Sequence, residues 1–261
     1  IRNVLERSSA RETTMRVALG SVCRKLLEDV GIEVGSRVVQ IHDVKDESSV
    51  PDDLTPNQLS KTADKSPVRC LDKNSEAAMM QTINNAKKSG DSVGGIFEVI
   101  ATGLPYGLGS YTQWDRKLHA RISVLMMSVN AFKGIEIGGG FGGSEKFGSE
   151  VHDEIGHDGE KFTRYSNNAG GIEGGMSNAQ TIIINATMKP LSTLSQPLKS
   201  VDIISKEKKL AHKERTDSCA VPAAAIIAES MACIVITDAL LDKLGGDSMK
   251  ELSQHFKSAQ Y

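Results

Sequence analysis

The sequence lacks any C-x-x-C pair. Its four cysteines, Cys23, Cys70, Cys219 and Cys233, are scattered over 261 residues, which excludes a disulfide scaffold and predicts a reducing, cytoplasmic setting. It also lacks an excess of charge of either sign. Thirty-one Lys and Arg against 33 Asp and Glu leave a formal charge of -2, so no global field favours nucleic acid or an anionic membrane, and any anion site has to be local. There is no uninterrupted apolar run of membrane-spanning length. The most apolar stretch, Ala220 to Leu241, is broken by Glu229 and Asp238 and reads as a buried helix of a globular core. Internal repeats and low-complexity tracts are absent as well, and 39% hydrophobic with 25% charged residues fits neither disorder nor a fibre.

What is present alternates between helical and extended patterns. Ser8-Ser9 precede Met15, Ala18, Leu19, Val22 and Leu26, whose spacing predicts an amphipathic helix stopped by Gly31. A strand is expected over 32–44, then a long polar excursion over 46–74 carrying Pro51, Pro56 and Pro67. Helix, tight turn and strand follow over 75–101, with Gly90-Asp91-Ser92 as the turn. A further helix around Leu118 to Val129 leads into a short strand, Ala131 to Ile137. Residues 142–175 are rich in Gly, Asn, Ser and charge without apolar periodicity, the mark of a long functional loop. Strands over 181–188 and 200–205, a long helix opened by Pro222 and closed by Gly245-Gly246, and a weaker terminal helix complete the pattern. Helices and strands mix without strict β-α-β alternation, so the expected class is α+β, with residues 1–261 as one domain.

Several segments carry chemistry-bearing residues. Residues 138–143 satisfy G-x-G-x-x-G, but no amphipathic helix begins at Ser144 to receive a pyrophosphate, so a glycine turn is the better reading. His152-Asp153-Glu154 with His157-Asp158 lacks the spacing of a metal site, and no metal is expected. Arg7-Ser8-Ser9-Ala10-Arg11 offers hydroxyls, amides and guanidinium groups to one anion; a plain serine cap with solvated arginines accounts for the same residues. Lys189-Pro190-Leu191-Ser192-Thr193 ends a strand with a lysine and a rigid turn bearing two hydroxyls. In Arg215-Thr216-Asp217, residues two apart on an extended chain share a face, as an anion holder and an acid or base, or as an ion pair at the start of a helix.

Taken in order, Glu6 to Thr13, Gly90 to Gly95, Gly103 to Ser110, Asn130 to Gly138, Asn168 to Asn178, Met188-Lys189-Pro190 and Arg215 to Pro222 resemble the chorismate synthases nearly throughout. The resemblance implies a lyase of the shikimate pathway, serving aromatic amino acid biosynthesis. Such a lyase converts 5-enolpyruvylshikimate-3-phosphate to chorismate and phosphate by a 1,4-anti elimination that requires reduced FMN (FMNH2) without consuming it. It further implies a β-α-β sandwich of antiparallel sheets around a helical layer, assembled as a homotetramer. NADPH would reduce the flavin, through the protein itself or through a separate flavin reductase. By motif position the flavin would meet Arg7, Ser8, Ser9, Asn130, Ala131, Gly174, Lys189, Pro190, Leu191, Ser192, Thr193 and Arg215. The substrate anions would meet Arg11 and Arg215, and Asp217 would assist proton removal. Residues 142–175 correspond to a mobile active-site loop. Two histidine motifs of the family, G-E-S-H-G and R-P-G-H, do not occur in these 261 residues. The chain, which opens on Ile1, is therefore expected to be the C-terminal two-thirds of such an enzyme and inactive alone. A non-catalytic flavin-binding or interaction remnant is the alternative.

Overall fold

The computed structural model describes residues 2–51, 53–160, 162–213 and 217–259, without the side chains of residues 5–7. A short helix α1 (Arg2–Arg7) and a 3-10 turn (Ala10–Glu12) lead into α2 (Thr13–Asp29). A hairpin β1 (Glu33–Ile41) and β2 (Val44–Lys45) is followed by α3 (Pro56–Ala63) and α4 (Lys73–Ser89). Then come β3 (Gly95–Thr102), β4 (Tyr106–Gly109), α5 (Leu118–Met127) and β5 (Phe132–Ile137). The glycine-rich region contains α6 (Gly148–Val151), β6 (Ile155–His157), β7 (Phe162–Arg164), β8 (Ile172–Glu173) and β9 (Met176–Asn178). Strand β10 (Ile182–Met188), the hairpin β11 (Lys199–Val201) and β12 (Lys208–Leu210), α7 (Val221–Leu244) and α8 (Met249–Ser258) end the chain.

One five-stranded antiparallel sheet, in the order β2-β1-β3-β10-β5, forms the frame. Alternation along its strands sorts the side chains into two faces. Ile182, Ile184, Ala186 and Met188 of β10 are buried, as are their cross-strand neighbours Ala101, Val99 and Phe97 on β3. The opposite face carries a polar row, Arg37–Glu98–Asn185–Glu136, in which the Arg37 guanidinium meets Glu98 at 2.8 Å. On the apolar face lies α7, buried almost all round, with α2 and α5 packed beside it. This helix is long and apolar enough to cross a membrane by length and composition, yet most of it is inside the fold, which accounts for its apolarity.

The Glu229 that interrupts α7 is itself buried and satisfied. It accepts hydrogen bonds from the Ser36 hydroxyl of β1 at 2.5 Å and the Ser60 hydroxyl of α3 at 2.8 Å, and it pairs with Arg24 of α2. Four elements thus converge on one carboxylate, and a partner left without it inside the fold would cost several kcal/mol.

The α+β expectation holds, with differences in detail. The strand expected over 32–44 is two, because the chain reverses at His42 with φ of +55°. The polar excursion hides α3, started by Pro56 and by a reciprocal cap in which Thr55 accepts from the Gln58 amide and Gln58 accepts from the Thr55 amide. Helix α2 forms as expected, but its apolar stripe does not face the core: Met15 is 72% and Val22 69% exposed. Close approach to α7 decides the packing face instead. A Cβ on Gly20 would lie 2.5 Å from the Ser230 Cβ, so Gly20, Arg24 and Leu27 turn inward. Of the two outer sheets implied by the family resemblance, the described residues supply one sheet of this size.

The excursion over 46–74 is anchored by the buried Asp46, whose carboxylate accepts the Leu71 amide at 2.7 Å, the Asp72 amide at 3.2 Å, and the amide and hydroxyl of Ser48. Burial alone would raise its pKa; the Ser48 hydroxyl and these three amides outweigh that and lower it from the ordinary 3.8. A lowered folded value contributes stability that is present above the unfolded value and is lost as pH falls through the folded one. Asp46→Asn is expected to lower stability at pH 7 by about 1–3 kcal/mol. It should also flatten the acid limb of the Tm-against-pH curve; an unchanged limb would show that Asp46 does not carry it.

Candidate active site

The segment Gly90 to Gly95, between α4 and β3, is the hub of the site. Helix α4 ends where Gly90 takes φ of +73°, a left-handed conformation that glycine adopts without a Cβ clash. Gly94 then runs against the end of β10 so closely that a Cβ would lie 2.3 Å from the Met188 carbonyl oxygen and 2.8 Å from the Pro190 nitrogen. From this position the segment reaches two others. The Ser92 hydroxyl donates to the Leu191 carbonyl at 2.7 Å, and the Gly90 carbonyl accepts the Gln196 amide at 3.1 Å. The Val93 amide donates to the Ser218 carbonyl at 2.8 Å, and Val93 and Cys219 form a parallel bridge. One short stretch therefore holds the Lys189 to Thr193 turn and the segment carrying Asp217.

The N-terminal serines join through a second link. The Asn130 side-chain amide donates to the Ser8 carbonyl at 2.9 Å, and the Lys189 amide donates to the Ala131 carbonyl at 3.0 Å. Ala131 holds φ of +70°, an uncommon conformation for a residue with a side chain, and through it the chain turns from Asn130 into β5. Ser9 caps the 3-10 turn, its hydroxyl accepting the Arg11 amide at 3.3 Å, while the Ser8 hydroxyl donates to the Val4 carbonyl at 2.6 Å and keeps its lone pairs. Serine capping, one of the two readings left open by the sequence, is thus observed at Ser9, and it leaves an anion role open.

Hydrogen bonds accordingly connect Ser8, Asn130, Ala131, Lys189, Leu191, Ser92, Val93 and Ser218, the last beside Asp217, although these residues come from five distant parts of the chain. Arg11, Lys189, Pro190, Ser192 and Thr193 are exposed around it, and so is Asp217. Among the described residues neither Arg11 nor Lys189 is ion-paired with a carboxylate. Free cations, hydroxyls and a rigid turn suit a phosphate, so the donor set fits the flavin phosphate implied by the resemblance. Beside them lies an open groove of about 540 Å³ bordered by His42, Lys133 and Lys189.

Three expected positions stand differently. Gly174 has φ of +60° in the β8–β9 turn, where a Cβ would meet only the Met176 methyl, at 4.0 Å. The adjoining Gly175 carbonyl accepts the Leu118 amide at the start of α5, so the length of that helix, roughly 15 Å, separates Gly174 from Asn130. Arg215 lies outside the described residues, as does the Arg7 side chain.

The glycine-rich region is more built than its composition suggests. After a 3-10 turn over Gly140–Glu145 and the four-residue α6, β6 and β7 form an exposed hairpin. Asp153 ties its base, accepting the Asn168 amide at 2.7 Å and the Ala169 amide at 2.9 Å. Asp153, the acidic residue next to His152, is thus a loop anchor. Between Gly143 and β6 the one α-helix is the four-residue α6.

Comparison with known proteins bears on these residues together. The family model described as chorismate synthase matches residues 1–241. A protein named chorismate synthase 2 from Bacillus cereus is 52% identical over 256 residues, which cover 98% of this chain and 65% of the relative. A chorismate synthase from Listeria welshimeri is 50% identical, with 98% of this chain and 66% of the relative covered. The chain thus spans about two thirds of the length of these relatives. A crystal structure of chorismate synthase superimposes with a TM-score of 0.84 at 41% identity, covering 98% of this chain and 71% of that one.

Neither Ser92 nor Gly94 was singled out in the sequence as a site residue; a Gly-Asp-Ser-Val-Gly-Gly turn between helix and strand is their only signal. Gly94→Ala is expected to displace the Lys189 turn at a cost of about 1–3 kcal/mol. Amide exchange at Lys189 should quicken while that of the β1–β3 pairing stays protected. An unaltered Lys189 amide would show that the close approach does not hold the turn.

Proposed function

The chain belongs to the chorismate synthase family, and from that premise we propose that it carries the flavin side of an active site for the elimination of phosphate from 5-enolpyruvylshikimate-3-phosphate. In this reaction the bond from carbon to the phosphate oxygen breaks and a C6 proton leaves, with no net oxidation or reduction. What bound reduced FMN supplies is transient electron donation to the substrate, without net consumption. The observation that carries the reading is the linked set Ser8, Asn130, Ala131 and Lys189 with its free cations, which are the positions where the resemblance puts the flavin.

In this reading Ser8, Ser9, Lys189 and the hydroxyls of Ser192 and Thr193 hold the flavin phosphate, with Arg7, Pro190, Leu191, Gly174 and Arg215 completing the site. Arg11 and Arg215 receive substrate anions, and Asp217 accepts or relays the C6 proton. Exposed on its hairpin, the loop over 142–175 closes over the bound molecules. A cytoplasmic homotetramer whose flavin draws on NADPH, directly or through a reductase, completes the proposal.

The G-E-S-H-G and R-P-G-H motifs do not occur among the 261 residues, so binding is a more direct test than turnover. Anaerobic titration with reduced FMN should saturate, and 5-enolpyruvylshikimate-3-phosphate should tighten it. Lys189→Met is expected to weaken FMN roughly tenfold, the loss of about one charge-assisted hydrogen bond. Asp217→Asn should leave the affinity within about twofold, as expected of a proton-transfer group that does not anchor the cofactor. A folded chain that binds no flavin overturns the reading.

A further inference from the structure

The hub contains a side chain to which neither the motif positions nor the proposed chemistry gives a role. Ser92 is 7% exposed and therefore cannot itself be a surface anion donor. Its hydroxyl makes one directed bond out of the hub, to the Leu191 carbonyl in the middle of the Lys189 to Thr193 turn. Its own amide is taken by the Asp91 carboxylate at 2.8 Å, which fixes the local backbone. The next residue, Val93, bonds to Ser218, one position after Asp217.

We infer that Ser92 is a positioning residue, setting the cation-bearing turn at Lys189 to Thr193 in register with the segment that carries Asp217. The inference rests on the flavin reading above for what the turn binds. Two segments that must hold a phosphate and a proton-transfer group at a fixed separation gain from a common rigid anchor, because the looser each is, the more ordering entropy it pays on binding. Ser92 and Val93 are adjacent residues, so the two bonds share one nearly inextensible piece of backbone. Removing the hydroxyl leaves the Leu191 carbonyl without that donor and lets the turn drift relative to Asp217, although no group that touches flavin has been altered.

The test compares Ser92→Ala with Ser60→Ala, which removes a buried hydroxyl from the Glu229 cluster. Ser92→Thr keeps the hydroxyl. Amide hydrogen exchange on the full chain reads the tether without any flavin: in Ser92→Ala, exchange at Val93 and across residues 191–196 should quicken together, and in Ser60→Ala it should not. Anaerobic titration with dithionite-reduced FMN reads the consequence. Ser92→Ala should raise its Kd roughly fivefold or more, about the worth of one neutral hydrogen bond. Ser60→Ala should leave Kd unchanged even where it costs more in Tm, and Ser92→Thr should recover most of the affinity. Unchanged exchange at 191–196 in Ser92→Ala overturns the inference whatever the flavin does. Faster exchange with an unmoved Kd overturns it too, since the serine would then be merely structural. Faster exchange in a wild-type background that binds no FMN keeps the tether but refutes the flavin reading on which its purpose rests.

Discussion

The site depends on a close passage of backbone against backbone. Gly94 lies against the end of β10 with no room for a side chain, and that approach fixes where the Lys189 turn leaves the sheet. Once the approach is made, the bonds from Ser92 to Leu191 and from Val93 to Ser218 follow at ordinary lengths, and the Lys189 amide comes within reach of Ala131. A wider separation here would leave the serines of the N-terminal turn, the lysine turn and Asp217 as three unrelated surface features.

Beneath this hub the fold supplies stiffness. The antiparallel sheet is pinned to α7 by apolar rows on β3 and β10 and by the carboxylate of Glu229, which binds α2, α3 and β1 to the same helix. The hub sits at the margin of this block, where α4 ends and β3 and β10 meet, so loops that must present charge to a ligand are rooted in paired, buried strands. This division, a rigid frame with polar turns at its edge, is how small anion-binding sites keep their geometry.

Much of this was legible in the sequence. Apolar spacing in α2 and α5, the turn glycine after α4, and Pro222 with Gly245-Gly246 around α7 gave those helices close to their observed limits, and residues 181–188 read as the interior strand β10. Two things were not legible for physical reasons. Which face of α2 is buried follows from the small residues Gly20 and Ser230 meeting across helices, a tertiary contact that overrides the apolar stripe at Met15 and Val22. The assembly of the site is likewise a matter of long-range hydrogen bonds between residues such as Asn130 and Ser8, whose pairing no local pattern encodes. The family resemblance named most of the site positions; what it did not supply was the reason they come together, which lies in the turn at Gly90 to Gly95.

The central claim, that these distant segments form one binding surface, is tested most directly by following backbone amide resonances of the chain during an anaerobic titration with reduced FMN. The account predicts that Ser8, Ser9, Asn130, Ala131 and Lys189 shift together along one binding curve, with Val93 following as the hub responds. Shifts confined to a single segment, or segments titrating with different affinities, would contradict it.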